Sequence, residues 1–554
     1  MTKTLVLDIE TNGFNPDKIF VIVCKDIKSH YISVFTCDTT DTYRNLDECA
    51  EFISGYDYII MHNGIGFDAP VLYDLLDITI PINKIIDTLV YSRLANPVRD
   101  GGHSLAAWGE RLSYPKISFE DFSGLSDDMI KYCIRDVDVT HEVYLQLEKD
   151  LKGFSDFSIR MEHLVAHLIN IQIKNGFYFN EVKASGLVAI LQEQSTDISN
   201  KLINMFPPKE IVLKTKTKYE PFNPNSRQQI GEQLLALGWE PSKFTEKTNL
   251  PIVNEQTLEE CTIPIAKDFQ KLFLINKRLA QVKSWIEAMD TTTNRVHGKV
   301  RTIGTITGRM SHNSPNMAQV PASYSPYGKE CRELWCIEDQ KKYRLVGADA
   351  SGLELRCLAH YMNDPDFTNE VLSGDIHTAN MKAAGLTDRD QAKTFIYAFL
   401  YGAGPAKIGS IVNGGAKEGQ KLIKRFLKNL PKLATLRENV TRQAEEHGYI
   451  IGLDGRHIII RHQHAALNTL LQGAGSIICK QWLIEICKLV EKRELNAHPV
   501  ANIHDEVQFE VSIIDAGKFS SLTKDAMKIT EKVLNVKCPL DSEAKIGTSW
   551  KETH

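Results

Sequence analysis

The sequence has little that would tie it to a membrane or to an oxidising compartment. Among 554 residues no apolar run approaches the roughly 18 that a spanning helix needs. The opening MTKTLVLDIE runs straight into a strand pattern, which speaks against a signal peptide. The 11 cysteines are an odd number, and no C-x-x-C pair occurs. Cys331 and Cys336 are the closest pair, with no second pair or histidine set at zinc-ligand spacing nearby. These absences exclude a disulfide scaffold, and the thiols read as reduced, buried small hydrophobes of a cytoplasmic protein. There is also no internal repeat and no low-complexity tract.

What is present is ordinary globular composition, with 43% hydrophobic and 24% charged residues. The length suggests three to five domains at about 100–200 residues each, or fewer large ones. The net charge of −5 is unevenly spread. Residues 1–150 hold 25 acidic against 13 basic residues, so the remaining chain carries a net +7. From Arg389 to Arg437 there are ten basic and two acidic residues. An acidic front joined to a mildly basic body suits a metal-rich hydrolase coupled to a polyanion-binding module; two solvated surfaces explain it equally well.

Residues 1–150 read as α/β, with LVLDIE, VIVCKDI and YDYIIMHN as short strands. Residues 151–205 read as two amphipathic helices broken at Gly176. FPPKEIVLKTKTKYEP (206–221) reads as an extended connector, followed by a helix that Ser226 caps and Gly238 stops. Helices are expected over about 264–289, 388–401 and 465–492, with Thr387 capping the second and Asp390 three residues on. VANIHDEVQFEV reads as a hairpin.

Carboxylates recur in two constellations. Asp8 and Glu10 are two apart on a strand and share a face. Asp68 lies in HNGIGFDAP, and Asp136 in YCIRDVD, one helical turn after Tyr132. Four carboxylates from three segments repel one another unless cations intervene. Two divalent metals about 3.5–4 Å apart solve that, and clamp both oxygens of an in-line phosphoryl displacement. In the second constellation Asp349 ends the strand RLVGAD and Asp505 sits in the turn of IHDE. A helix separates them in sequence, so only a sheet can unite them. Such a pair suits a nucleotidyl transferase with two Mg²⁺ ions, although an isolated HDE is more often a turn. Between them Arg389, Lys393, Tyr397 and Tyr401 recur every four residues, one stripe of a helix. Two cations followed by two aromatics suit a triphosphate at one end and a base at the other.

DIET, N-x-x-x-F-D and Y-x-x-x-D, in that order, resemble the three motifs of the DEDD 3′–5′ proofreading exonucleases of the tyrosine-containing subtype. The resemblance implies Asp8, Glu10, Asp68 and Asp136 as metal ligands and Tyr132 as the residue that orients the attacking water. Asn63 matches the motif asparagine and would meet the DNA strand. The remaining pattern resembles family A DNA polymerases, the DNA polymerase I-like group, and within it the replicative polymerases of short-tailed bacteriophages. DASGLELR matches motif A, R-x3-K-x3-Y-x3-YG motif B and HDE motif C; HSLAAWGERL, TGRMSHNSPNMAQVP, GDIHT and HAALNTLLQGAGSIICK have the same look. The fold class implied is α/β and α+β multidomain: an RNase H-like exonuclease domain at 1–152 joined to a right-hand polymerase. The thumb would span 160–290, the palm 291–366 and 465–554, and the fingers 367–464.

The resemblance implies template-directed addition of dNTPs to a primer 3′-OH, with 3′–5′ proofreading and two Mg²⁺ per active site. Asp349 and Asp505, helped by the Ala350 carbonyl, would bind metal, with Glu506 near the primer terminus. Arg389, Lys393 and His377 would grip the triphosphate, Lys393 also giving a proton to pyrophosphate. Tyr397 completes the motif B stripe. Glu354 would exclude a ribose 2′-OH, supported by Tyr401. Arg309, Asn468 and Gln472 would read the minor groove. His464, where many relatives have arginine, would face the primer side. Partners implied are primer-template DNA, dNTPs, a single-stranded 3′ end in the exonuclease site, and a helicase-primase as one replisome candidate. No membrane is involved, and the setting would be the host cytoplasm.

Thioredoxin-recruiting relatives carry a long thumb insertion where this chain has only 206–221. Thioredoxin is therefore not expected as a partner. Lys214, Lys216 and Lys218 alternate there and could meet phosphates on one face, or belong to a solvated loop. Two other readings stay open: a single-subunit RNA polymerase relative, against which the exonuclease and Glu354 speak, and a catalytically dead DNA-binding or clamp subunit, which requires a lost carboxylate although all six are present.

Overall fold

The computed structural model of the chain describes residues 2–38, 42–212 and 217–554. Strand β1 (Thr4–Thr11) is buried on both faces: Leu5 and Leu7 enter one apolar cluster and Val6 another. That double burial makes β1 a central strand. It pairs antiparallel with β2 (Ile19–Asp26), which pairs with β3 (Ile32–Thr36). With β4 (Arg44–Asn45), β5 (Tyr58–Met61) and β6 (Ile85–Asp87) they form a mixed sheet of order β4-β3-β2-β1-β5-β6. β1, β5 and β6 run parallel, so their connections cross the sheet faces and carry helices. Helix α1 (Asp68–Leu76) lays Val71 and Leu72 on the Leu5 and Leu7 face. Helix α2 (Thr88–Ala95) starts directly after β6. Helix α3 (Asp127–Asp150) covers the other face with Met129, Ile130, Cys133 and Val137.

Helices α4 (Asp156–Asn175) and α5 (Glu181–Met205) are parted at Gly176, as the sequence pattern predicts. Gly176 has φ +64°, and a Cβ there would lie 2.8 Å from the His297 ring, so only glycine fits. Helix α6 (Ala266–Glu287) packs Ile275, Leu279 and Val282 against Leu187 and Leu191 of α5. Ser226 caps the helix Arg227–Ala236 as expected. The 206–221 segment departs from the extended connector read from the sequence. Lys209–Val212 and Thr217–Glu220 pair antiparallel as a hairpin, which satisfies backbone groups that a lone extended segment leaves to water. Lys214 and Lys216 lie outside the described residues, and Lys218 pairs with Glu220 at 3.0 Å on the surface.

Strand β7 (Tyr343–Ala350) leads into α7 (Leu353–Met362). Helices α8 (Ile376–Ala384) and α9 (Arg389–Leu400) follow, then the long α10 (Ala466–Lys492). Asp388, not Thr387, caps α9. Its carboxylate stands directly before the first helical residue and accepts from the Asp390 amide at 2.8 Å. β8 (Ala497–Ile503) and β9 (Glu506–Ser512) form the expected hairpin, followed by α11 (Ala516–Val533) and β10 (Ser542–Gly547). The sheet order is β8-β9-β7-β10, all antiparallel. α10 is buried along most of its length, and Ile477, Ile478, Trp482 and Ile486 join the largest core with Leu522, Ala526 and Met527 of α11. Each such side chain contributes about 1.5–3 kcal/mol, so α10 anchors the sheet that carries the second carboxylate pair. All 11 cysteines are unbridged, and eight are buried. Among the described residues no helix is long and apolar enough to cross a membrane.

Candidate active sites

β1 and β5 pair only from Thr4 to Val6, so Asp8 and Glu10 stand beyond the last rung of that ladder, where the sheet opens. Asp68 opens α1, and Asp136 lies one turn after Tyr132 on α3. The four carboxylates converge. The Asp8 carboxyl is pushed well up, first by burial, then by repulsion from Asp68, Asp136 and Glu10. Burial and Asp136 raise Glu10 to about 8, and burial raises Asp68 to about 7. Burial also lifts Asp136. Asp136 Oδ1 is buried with no hydrogen-bond partner, an acceptor left free for a ligand. Tyr132 stacks on Phe119 at 5.4 Å between ring centres and meets Phe122 edge-on.

Sequence reasoning missed three neighbours. Lys116 Nζ lies 2.5 Å from Asp136 Oδ2 and 4.7 Å from the Tyr132 ring centre. Cys133 Sγ lies 3.6 Å from Asp8 Oδ2. Asp87 fixes the loop before Asp68 by accepting from the Asn63 and Ile65 amides, each at 3.0 Å. It therefore holds Asn63 at φ +65°. No motif flags Lys116, because it sits on an irregular segment far from the carboxylates in sequence.

In the second site the antiparallel register does what the helix between the motifs cannot. Asp349 on β7 faces Glu506 on β9, and the Ala350 amide donates to the Asp505 carbonyl at 3.0 Å. Burial, then Asp505 and Glu506, raise the Asp349 carboxyl to about 7. Burial, then Glu354, raise Asp505. Glu543 on β10 faces Asp349 from the other side, a third acid on the same face that the motifs did not include. Glu506 is boxed in. Trp550 Nε1 and Gln508 Nε2 each donate to it at 2.5 Å, and His554 Nδ1 lies at 2.6 Å. Burial alone would raise this carboxyl, but His554 and Gln508 hold it below its ordinary value.

A cleft of about 360 Å³ opens beside this pair, lined by Arg309, Glu354, Tyr401, Lys480 and Asp505 among others. Tyr401 donates to Glu354 Oε1 at 2.8 Å, so these two act as one unit. Tyr397 and Tyr401 stack at 6.4 Å, and His377 stands 6.2 Å from the Tyr397 ring. Asn468 Nδ2 donates to the Tyr401 carbonyl at 3.2 Å, and Gln472 to Asn468 Oδ1 at 2.8 Å. His464 lies outside this group, stacked on His462 at 5.5 Å. Lys393 is exposed and pairs with nothing among the described residues. Arg389 is engaged by Asp375, Nε to Oδ2 at 2.8 Å and Nη2 to Oδ1 at 3.1 Å. Asp375 also caps α8, so a ligand that takes Arg389 must compete with a carboxylate anchored in the chain.

Two stretches of the chain match known families. Residues 2–152 match the family described as 3′-5′ exonuclease, and residues 189–552 match DNA polymerase family A. The DNA-directed DNA polymerase of Enterobacteria phage T3 is 32% identical over 90% of this chain and 92% of its own length. That of Escherichia phage T7 is 31% identical with the same coverage. The polymerase domain of Pol1 from M. smegmatis, solved with DNA primer-template and dNTP, superposes with a TM-score of 0.82 at 17% identity, over 100% of this chain and 96% of that one, a likeness of fold. The chain belongs to DNA polymerase family A and is a DNA-directed DNA polymerase with a 3′–5′ exonuclease domain.

Proposed function

We propose that this polymerase is a phage replicative enzyme with two separate metal-dependent centres, the exonuclease at 1–152 and the polymerase in a palm formed by 291–366 and 465–554. The thumb is 160–290 and the fingers 367–464 in this reading. The observation that carries it is the antiparallel register that pairs Asp349 with Glu506 and so sets Asp505, whose carbonyl takes the Ala350 amide, next to Asp349, beside a cleft that Glu354, Tyr401 and Arg309 line. The proposed ligand atoms are all oxygens and are crowded together, Lys116 offsets only part of their charge at Asp136 Oδ2, and Asp136 Oδ1 is unpartnered, which fits hard divalent cations. Asp349, Asp505 and the Ala350 carbonyl would hold them in one centre, and Asp8, Glu10, Asp68 and Asp136 in the other, with two Mg²⁺ in each. When bound, such ions activate the attacking oxygen and neutralise the leaving one.

In this reading the chain's own side chains do the rest. Arg389 and Lys393 take the triphosphate, Arg389 by leaving Asp375, and His377 adds a contact. Lys393, on the same stripe, also gives a proton to pyrophosphate. Glu354, fixed by Tyr401, closes the space a 2′-OH would need, and Tyr397 lies against the sugar. Arg309, Asn468 and Gln472 face the minor groove, His464 the primer side, and Glu506 the primer terminus. In the exonuclease, Tyr132 orients the attacking water and Asn63 meets the strand. The substrates are primer-template DNA and dNTPs, with a single-stranded 3′ end for proofreading, in the host cytoplasm. A helicase-primase is the natural replisome partner for such an enzyme, and thioredoxin is not used.

The test separates the two centres. Asp8→Ala with Glu10→Ala should abolish digestion of single strands and leave primer extension intact; Asp505→Ala should do the reverse. Loss of both activities from either change, in a protein still folded by circular dichroism, would refute the assignment.

A further inference from the structure

We propose that Lys116 is a resident counter-charge of the exonuclease centre, which competes with a divalent cation for Asp136. The inference rests on the reading of Asp8, Glu10, Asp68 and Asp136 as the cation-binding set. Four carboxylates drawn from β1, α1 and α3 share this centre, and one amine reaches in from the segment before α3. Lys116 Nζ takes Asp136 Oδ2 at 2.5 Å, with its side chain 23% exposed and that of Asp136 5%. The same amine sits over the Tyr132 ring, 4.7 Å from its centre. One residue thus touches both the carboxylate and the tyrosine that the exonuclease reading uses.

The geometry divides Asp136 in two. Oδ2 is taken by the ammonium, and Oδ1 is buried and unpartnered. A divalent cation that arrives on Oδ1 meets a fixed positive charge across a single carboxylate, in a part-dry site where screening is weak. Either the ammonium withdraws or the cation binds weakly. A strand end supplies what would draw it away, because the phosphodiester it brings is a second acceptor for the same amine. Lys116 therefore couples cation loading to the presence of a 3′ end, and keeps the centre poorly loaded when no strand is there. It acts through Asp136 and Tyr132 as a positioning residue.

The experiment reads cation affinity and does not depend on turnover. Mn²⁺ binding is measured by equilibrium dialysis in an Asp505→Ala background, which silences the polymerase centre. Lys116→Met, which keeps the stem and removes the charge, should bind Mn²⁺ at least tenfold more tightly than the Lys116 protein, and Lys116→Arg should bind like it. A single-stranded oligonucleotide with a non-hydrolysable 3′ linkage should raise Mn²⁺ affinity in the Lys116 protein and leave Lys116→Met unchanged. Equal or weaker binding by a folded Lys116→Met protein would overturn the proposal, and Lys116→Gln replaces it if the first variant does not fold. Asp8→Ala with Glu10→Ala is measured alongside. If that variant retains full binding, the carboxylates are not the cation site and the underlying exonuclease assignment fails instead.

Discussion

Glu162 on α4 is wholly buried and accepts from Lys480 Nζ at 2.7 and 2.9 Å. Arg456 Nη1 reaches the same carboxylate at 2.7 Å, and Arg456 Nη2 reaches Asp454 at 2.7 Å. Two cations and two carboxylates thus close a network between α4, the hairpin of Tyr449–Ile451 and His457–Ile459, and the α10 helix that underlies the cleft. Burial has already drawn the Lys480 amine down to about 8, against the pull of Glu162. Glu162→Ala leaves Lys480 and Arg456 with Asp454 alone. Removing one partner of a buried pair typically costs about 3–5 kcal/mol, because the other charge stays desolvated. That is a large part of the roughly 5–15 kcal/mol by which a folded domain is stable. Glu162→Met combined with Lys480→Met removes both charges and fills the space, and should recover at least about 1 kcal/mol relative to Glu162→Ala, since apolar replacements of buried pairs are often neutral or better. Urea unfolding, followed by tryptophan fluorescence through the buried Trp482 on the same helix, reads both. A loss below about 1 kcal/mol for Glu162→Ala, or a double variant no better than the single one, would refute the argument, which rests on the cost of an unpaired buried charge.

Stability without divalent ions should depend on pH through the raised carboxyls. Folded Glu10 holds its proton to about 8 and folded Asp68 and Asp349 to about 7, above their ordinary values, so the folded state binds more protons than the unfolded. Their contribution is full below about pH 4 and lost as pH rises to 8; thermal unfolding in EDTA should fall over that window, and Mg²⁺ should restore it at pH 8. Tyr397 carries a hydroxyl that can stand in for a missing 3′-OH, so Tyr397→Phe should lower dideoxynucleotide incorporation. One hydrogen bond of about 0.5–1.5 kcal/mol sets the scale at roughly two- to tenfold, and equal discrimination by both proteins in an exonuclease-silent background would count against it. Reduced thioredoxin should leave product length in single-hit extension unchanged, because the sequence at 206–221 is too short and too polar to supply a stable interface of about 1,200 Å² or more. A large increase in length would sink that prediction.

The sequence by itself determined the family and most of the element order, because both depend on short-range pattern. Short continuous apolar runs predict β1 and β5, the break at Gly176 predicts the α4 and α5 boundary, and four-residue spacing puts Arg389, Lys393, Tyr397 and Tyr401 on one stripe. The carboxylate motifs are legible for the same reason: DIET and Y-x-x-x-D need only a strand face and one helical turn. Local chemistry still misled in two places. Asp388 caps α9 in place of Thr387, and Lys209–Val212 pairs with Thr217–Glu220 as a hairpin where the alternation suggested one extended segment. Only the tertiary structure decided which charges meet. Lys116 reaches Asp136 from 20 residues away, Arg389 finds Asp375, Glu543 enters the row beside Asp349, and Glu162 finds Lys480 across 318 residues. None of these pairs has a spacing to read, because a long-range ion pair is set by how helices and sheets pack. The cost of burying a charge is known only once that packing has removed the water.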